Sequence, residues 1–91
     1  MKIIAASPLV SPGKGCALRR IVLRAHYEGD KITKLVTHNQ YFYTGDITAF
    51  GDGNYFTDYG RALQDFYKRS SKEAEFPLAT KDELERFQKV V

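Results

Sequence analysis

The chain has one cysteine, Cys16, and no tryptophan. A lone thiol excludes any disulfide within the chain. Secreted domains of this size ordinarily carry several bridges, so a reducing, cytoplasmic setting is the expectation. Long apolar runs are also missing. After Met1-Lys2 come only Ile3-Ile4-Ala5-Ala6 before Ser7 and Pro8, shorter than the apolar region of a signal peptide. No stretch approaches the length that spans a bilayer, so no membrane partner is expected. Internal repeats and low-complexity runs are absent too. The 91 residues fit one domain, 1–91, and leave no room for two. A domain of that size buries roughly 60–65% of the surface its unfolded chain exposes, enough for one core without staples.

The charge is unevenly spread. Residues 1–38 hold seven Lys/Arg against Glu28 and Asp30, whereas residues 39–91 hold seven basic and nine acidic side chains. A basic front half and a mildly acidic back half suit a partner steered by electrostatics, whether protein or nucleic acid.

Hydrophobic periodicity predicts an α+β fold. Residues 2–6 are short, apolar and partly β-branched, which predicts a first strand. The segment 7–15, with two prolines and two glycines, reads as a loop. Residues 17–28 alternate, with Ile21, Leu23, Ala25 and Tyr27 on one face and Arg20, Val22, Arg24, His26 and Glu28 on the other. Gly29-Asp30 then makes a two-residue hairpin turn, and residues 32–43 return. The alternation of that return is poorer, and a bulge near Thr37-His38-Asn39 would repair it. The glycine-rich stretch 44–54 reads as a connection, with a short strand only at Asn54-Tyr55-Phe56. Thr57 or Asp58 can cap a helix over 58–71, with Tyr59, Ala62, Leu63, Phe66 and Tyr67 as its apolar stripe and Arg61, Gln64, Asp65, Lys68 and Arg69 outward. Thr80 and Glu83 have capping-box spacing at the head of a short C-terminal helix, 81–90. The expectation is thus a small antiparallel sheet of three or four strands, with the central hairpin 17–43, packed by an amphipathic helix and followed by a second.

Motifs for catalysis fall short of their chemistry. Gly13-Lys14-Gly15 lacks the earlier glycine of a phosphate loop and precedes a strand, so no helix N-terminus would face a phosphate. Cys16, His26 and His38 invite a nucleophile-and-base reading, with Arg19 and Arg20 near enough in sequence to favour a thiolate; a small packing cysteine is the simpler account. The same three residues are too few and too scattered for zinc. Asp46, Asp52 and Asn54 lack the twelve-residue calcium pattern and read as turn residues. No catalytic residue, cofactor or metal is assigned.

The informative features are aromatic and basic. Tyr41, Phe42, Tyr43, Phe50, Tyr55, Phe56 and Tyr59 lie close together in the chain. Core filling is the plain account of most of them. Successive strand residues point to opposite faces, however, so Tyr41, Phe42 and Tyr43 cannot all lie beneath one helix. Arg20 and Arg24 alternate opposite Ile21 and Leu23, joined by His26. A solvated face accounts for them, as does a contact strip in which arginine and tyrosine act together. The candidate partner-binding residues are Arg20, Arg24, His26, Tyr41 and Tyr43.

The stretch His38-Asn39-Gln40-Tyr41-Phe42, followed by Gly53-Asn54-Tyr55-Phe56-Thr57-Asp58-Tyr59-Gly60-Arg61-Ala62-Leu63-Gln64-Asp65-Phe66, resembles small phage and mobile-element proteins of the anti-CRISPR inhibitor type. In these a hairpin leads through a "YF" strand into an amphipathic helix. The resemblance covers about half the chain and assigns no residue a role. It implies a stoichiometric inhibitor of a larger nucleoprotein machine. The functional expectation is a non-enzymatic binding protein acting on another protein or a nucleoprotein complex, as monomer or homodimer. The alternative is a small nucleic-acid-binding module using the same face.

Overall fold

The computed structural model describes residues 1–13, 16–43 and 47–88. Its elements run β1 (Lys2–Ala6), β2 (Leu18–Glu28), β3 (Lys31–Tyr43), β4 (Ile47–Phe56), α1 (Tyr59–Glu73) and α2 (Lys81–Gln88). The strands form one antiparallel sheet in the order β1-β2-β3-β4, the arrangement expected of an α+β chain with a central hairpin. Lys14, Gly15, Asp46 and the expected last helical residues, 89 and 90, lie outside the described residues.

The hairpin turns where the sequence places it. Glu28 pairs with Lys31 across Gly29-Asp30, and Gly29 has φ +62°, which glycine adopts without a Cβ penalty. An irregularity does fall at Thr37–Asn39, where one was expected, but its extra residue is on the neighbouring strand, and a second bulge lies nearer the turn. Opposite β2 the register of β3 is unbroken from Lys34 to Phe42; the extra residue is Thr33, between the His26–Lys34 and Tyr27–Ile32 pairs. Near Thr37–Asn39 the extra residue belongs to β4, where Thr37 faces Asn54 and Asn39 faces Gly51. Asp52, in that bulge, takes φ +54°. The third hairpin strand is therefore ten residues, Ile47–Phe56, and not three. Its two glycines, with Asp52 and Asn54, masked the alternation.

One face of the sheet carries α1. Ile21, Leu23, Ala25 and Leu35 pack there against Ala62 and Phe66, with Ile4, Ala5, Phe56 and Leu63 around them. Each large side chain buried there contributes about 1.5–3 kcal/mol. The helix sits rotated from the expected stripe. Tyr59 and Tyr67 are exposed, whereas Arg69 and Asp65 are drawn inward onto Thr37. Asp65 accepts from the Thr37 hydroxyl, and Arg69 Nη1 donates to the Thr37 carbonyl at 3.0 Å. Asp58 caps α1, accepting from Gly60 N at 3.3 Å. The helix then passes through the polar 70–73 stretch, where Ser70 and Ser71 hydroxyls donate to the carbonyls of Phe66 and Tyr67.

The expected loop after β1 is partly a ladder. Ser7 and Val10 continue the pairing with β2 through Ser7 N to Ile21 O and Val10 N to Arg19 O, both 2.9 Å. Val10 also bridges Leu78, so the Pro77–Ala79 stretch adds beyond that edge. The capping box of α2 forms: Thr80 N donates to Glu83 at 3.0 Å and Glu83 N to Thr80 Oγ1 at 3.1 Å. Ser11 Oγ donates to Glu83 at 2.6 Å and ties the helix to the edge.

Candidate interaction face

The register decides which side chains share a surface. Counting from the Gly29-Asp30 turn, an unbroken ladder would pair Arg20 with Asn39 and set Tyr41 and Tyr43 beside Arg20 and Arg24. The extra residue at Thr33 shifts the register by one, so Arg20 pairs with Gln40 and Tyr41 with Arg19. A one-residue slip moves a whole strand's side chains to the opposite face. The expected patch is therefore split. Arg20, Arg24 and His26 occupy the face away from α1, with Tyr41 and Tyr43 on the side that carries the helix.

That open face is built from all four strands, with Ile3 and Ala6 of β1 beside Arg24 and Val22. Arg20, Val22, Arg24 and His26 come from β2; Lys34, Val36, His38, Gln40 and Phe42 from β3; Thr48, Phe50 and Tyr55 from β4. From Arg20 to His26 and from Lys34 to Phe42 it bears no carboxylate. Val22 and Val36 have 0% exposure although no helix among the described residues packs on this side, so the longer side chains around them lie down across the sheet. The Arg24 guanidinium carbon stands 4.1 Å from the Phe50 ring centroid, and that of Arg20 stands 5.5 Å from Phe42. Gln40 holds Arg20 by accepting from its Nε at 2.8 Å. Phe50 and Tyr55 remain exposed, at 41% and 67%. His26 is exposed toward the hairpin tip.

Beneath this layer lies His38, 8% exposed, its ring 5.2 Å from that of Phe50. Burial first, then the positive charges of Arg24 and Arg69, push its imidazole below the ordinary histidine range. Two buried polar atoms on the face, His38 Nε2 and Arg24 Nε, have no hydrogen-bond partner among the described residues. Native proteins pair the large majority of such atoms, so two adjacent orphans call for an explanation. Gly53 gives His38 its space, since a Cβ there would lie 3.2 Å from Nδ1.

The tyrosines on the helix side have other partners. Tyr41 donates to Asp52 at 3.3 Å, and Asn39 donates to the same carboxylate at 2.9 Å. Burial, then the Asp52 charge and hydrogen bond, raise the Tyr41 phenol above its ordinary pKa. Tyr43 is exposed, its ring 6.4 Å from that of Tyr41. Arg19 does not serve Cys16; its Nε meets Glu73 at 2.7 Å, and its guanidinium lies over Phe76.

On the helix side a concavity of about 410 Å³ runs between the β4 bulge and α1, lined by Asp52, Asn54, Asp65, Lys68, Arg69 and Lys72 among others. Its acids already accept: Asp65 from Thr37 and, at 3.2 Å, from Asn54, and Asp52 from Asn39 and Tyr41. Among the described residues no three His, Cys, Asp or Glu side chains gather as metal ligands would. The free Cys16 is exposed before the start of β2. From Leu18 to His26 that strand alone spans about 26 Å, and Val22, the partner of His38, is about 13 Å from Leu18. Neither imidazole reaches the thiol.

Two residues central to the face, Phe42 and Phe50, were absent from the sequence-based site. The signal was present in the even parity that Phe42 shares with His38 and Gln40. Phe50 lay hidden because the strand carrying it reads as a turn. Among the described residues no helix is long and apolar enough to cross a membrane. No family model, curated protein or solved structure matches the chain.

Proposed function

We propose that this chain is a non-enzymatic binding protein whose contact surface is the open sheet face around Arg20, Arg24, Phe42 and Phe50. The observation that carries the reading is the composition of that face: cations and rings side by side, no carboxylate from Arg20 to His26 or from Lys34 to Phe42, Glu28 standing only at the hairpin tip beside Lys31, and no helix packed over it among the described residues. Arginine and aromatic side chains are the residue types that dominate binding energy at macromolecular contacts. A surface whose centre carries positive charge and no carboxylate favours an anionic partner. The distance of Cys16 from both histidines supports the non-enzymatic part. The polar cleft beside α1 is occupied by its own hydrogen bonds, which argues against a second working site there.

A binder of this kind acts stoichiometrically, by occupying a surface its partner needs. That is the mode implied by the resemblance to inhibitors of nucleoprotein machines. Charge reversal tests the reading. Tagged wild type, the Arg20→Glu/Arg24→Glu variant and a Tyr67→Ala control on the exposed side of α1 are used as baits in the same host lysate. The expected result is a partner retained by wild type and Tyr67→Ala and lost from the charge-reversed bait. Equal recovery on all three baits refutes the face as the contact surface.

A further inference from the structure

We infer that the ligand of this face is single-stranded nucleic acid, bound by stacking of bases on the Phe42, Phe50 and Tyr55 layer with phosphates at Arg20 and Arg24. The inference rests on the face assigned above and names the chemistry of its partner.

Three observations carry it. The first is the way the guanidinium groups are held. Arg20 and Arg24 do not project as free forks toward a carboxylate. Arg24 lies over the Phe50 ring at 4.1 Å, and Arg20 lies near Phe42 with its Nε taken by Gln40. Planar guanidinium groups laid over rings present broad π surfaces, which unpaired bases stack upon and acidic side chains do not use. The second is spacing. Phe50 pairs with Gln40, two residues from Phe42 on β3, so the two residues are diagonal neighbours with backbones about 7–8 Å apart. Tyr55 stands opposite Val36 further along β4, extending the row of rings toward the hairpin tip, where His26 and Lys34 pair. A strand laid along β3 and β4 would meet a ring, a cation and a ring in turn. The third is the pair of orphaned polar atoms, His38 Nε2 and Arg24 Nε, both beside Phe50. If the Phe50 ring shifts to stack on a base, both atoms come within reach of base edges and phosphate oxygens, which supplies the partners they lack.

Duplex nucleic acid fits poorly. Its bases are already stacked, and a sheet of four strands, each about 4.8 Å from the next, enters neither groove as a helix or ribbon does. An acidic protein surface would satisfy the charge but leave the rings without planar partners.

The test uses the whole chain and fluorescence anisotropy with a labelled oligothymidylate, the matching duplex and labelled polyglutamate. Wild type is expected to bind the single strand in preference to both others. Between about 50 and 200 mM salt the affinity should fall with a log–log slope near −1.4, from two neutralised phosphates. Arg24→Gln should bring that slope to about −0.7. Phe50→Leu keeps an apolar cover over His38 but removes the π face, and should weaken binding about tenfold. Its thermal melt is recorded alongside, so a folding defect is not read as lost contact. No oligonucleotide binding at low salt, equal or tighter binding of polyglutamate or duplex, or unchanged affinity in Phe50→Leu overturns the inference. If any of these occurs while the lysate partner still depends on Arg20 and Arg24, only the ligand class falls. If that dependence is also missing, the contact face falls with it.

Discussion

Replacing Arg19 with methionine should destabilise the fold far more than its partly exposed position on an edge of the core suggests. Arg19 Nε meets the Glu73 carboxylate at 2.7 Å, with the two side chains only 25% and 12% exposed. Glu73 is the last residue of α1, where unpaired carbonyls already carry partial negative charge and a carboxylate is disfavoured by about 0.3–1 kcal/mol. The pair thus neutralises a charge that is both buried and wrongly placed for its helix. At an effective dielectric of about 20 the attraction at that distance is on the order of 6 kcal/mol, most of it offset by desolvation of both ions. Breaking such a pair from one side typically costs about 3–5 kcal/mol, because the survivor stays buried. Residual water access to Arg19 lowers the expectation to about 2–3 kcal/mol. The lost stacking of the guanidinium over Phe76, 4.7 Å away, lies within that range.

A domain of 91 residues has roughly 5–14 kcal/mol in total, so the loss is a large fraction of it. It corresponds to a Tm lower by about 10–20 °C. The double variant Arg19→Met/Glu73→Leu removes both charges and should return to within about 1 kcal/mol of wild type. Urea titrations of the four proteins complete the cycle. A single-variant loss below about 0.5 kcal/mol would show that Arg19 acts through its stem, and a double variant as unstable as Arg19→Met alone would show that the loss does not come from a stranded Glu73 charge; either refutes the reasoning.

Three further outcomes are expected. Because the folded state holds the His38 imidazole below its ordinary pKa, the unfolded chain takes up a proton that the native one refuses. Stability is therefore full above about pH 6.5 and falls on acidification below it, and His38→Gln should flatten that slope in denaturant titrations across the range. In Gly53→Ala the new Cβ would sit 3.2 Å from His38 Nδ1 and 3.5 Å from Val36 Cγ2, costing about 1–2 kcal/mol by urea midpoint; a neutral result would mean the bulge yields freely. Thr37→Val removes the fully buried hydroxyl that serves Asp65 and Arg69, with an expected loss of about 1–3 kcal/mol, and an unchanged midpoint would show that water takes its place.

The local elements were legible because local rules govern them. Period-two alternation marks β2 whatever it packs against, glycine at 29 makes the turn, and Asp58 and the Thr80–Glu83 pair announce the starts of both helices. The proposed face was only half legible. Parity within one strand placed Arg20 and Arg24 on the side away from α1. It could not place Tyr41 and Tyr43, because parity between two strands depends on every residue in the ladder joining them.

What the order of residues settled alone is therefore the α+β class, the hairpin, the helix starts and the inward face of β2, each set by contacts a few positions apart. Tertiary structure decided the rest. The bulge at Thr33 puts Leu35 into the core opposite Ala25 and exchanges Tyr41 for Phe42 beside the arginines. The bulge at Asp52–Gly53 turns a glycine-rich connection into an edge strand that delivers Phe50. Arg19 finds Glu73 across 54 residues of chain. A bulge is selected by the burial it permits on both faces of the finished sheet, and that balance exists only once the strands and α1 have come together.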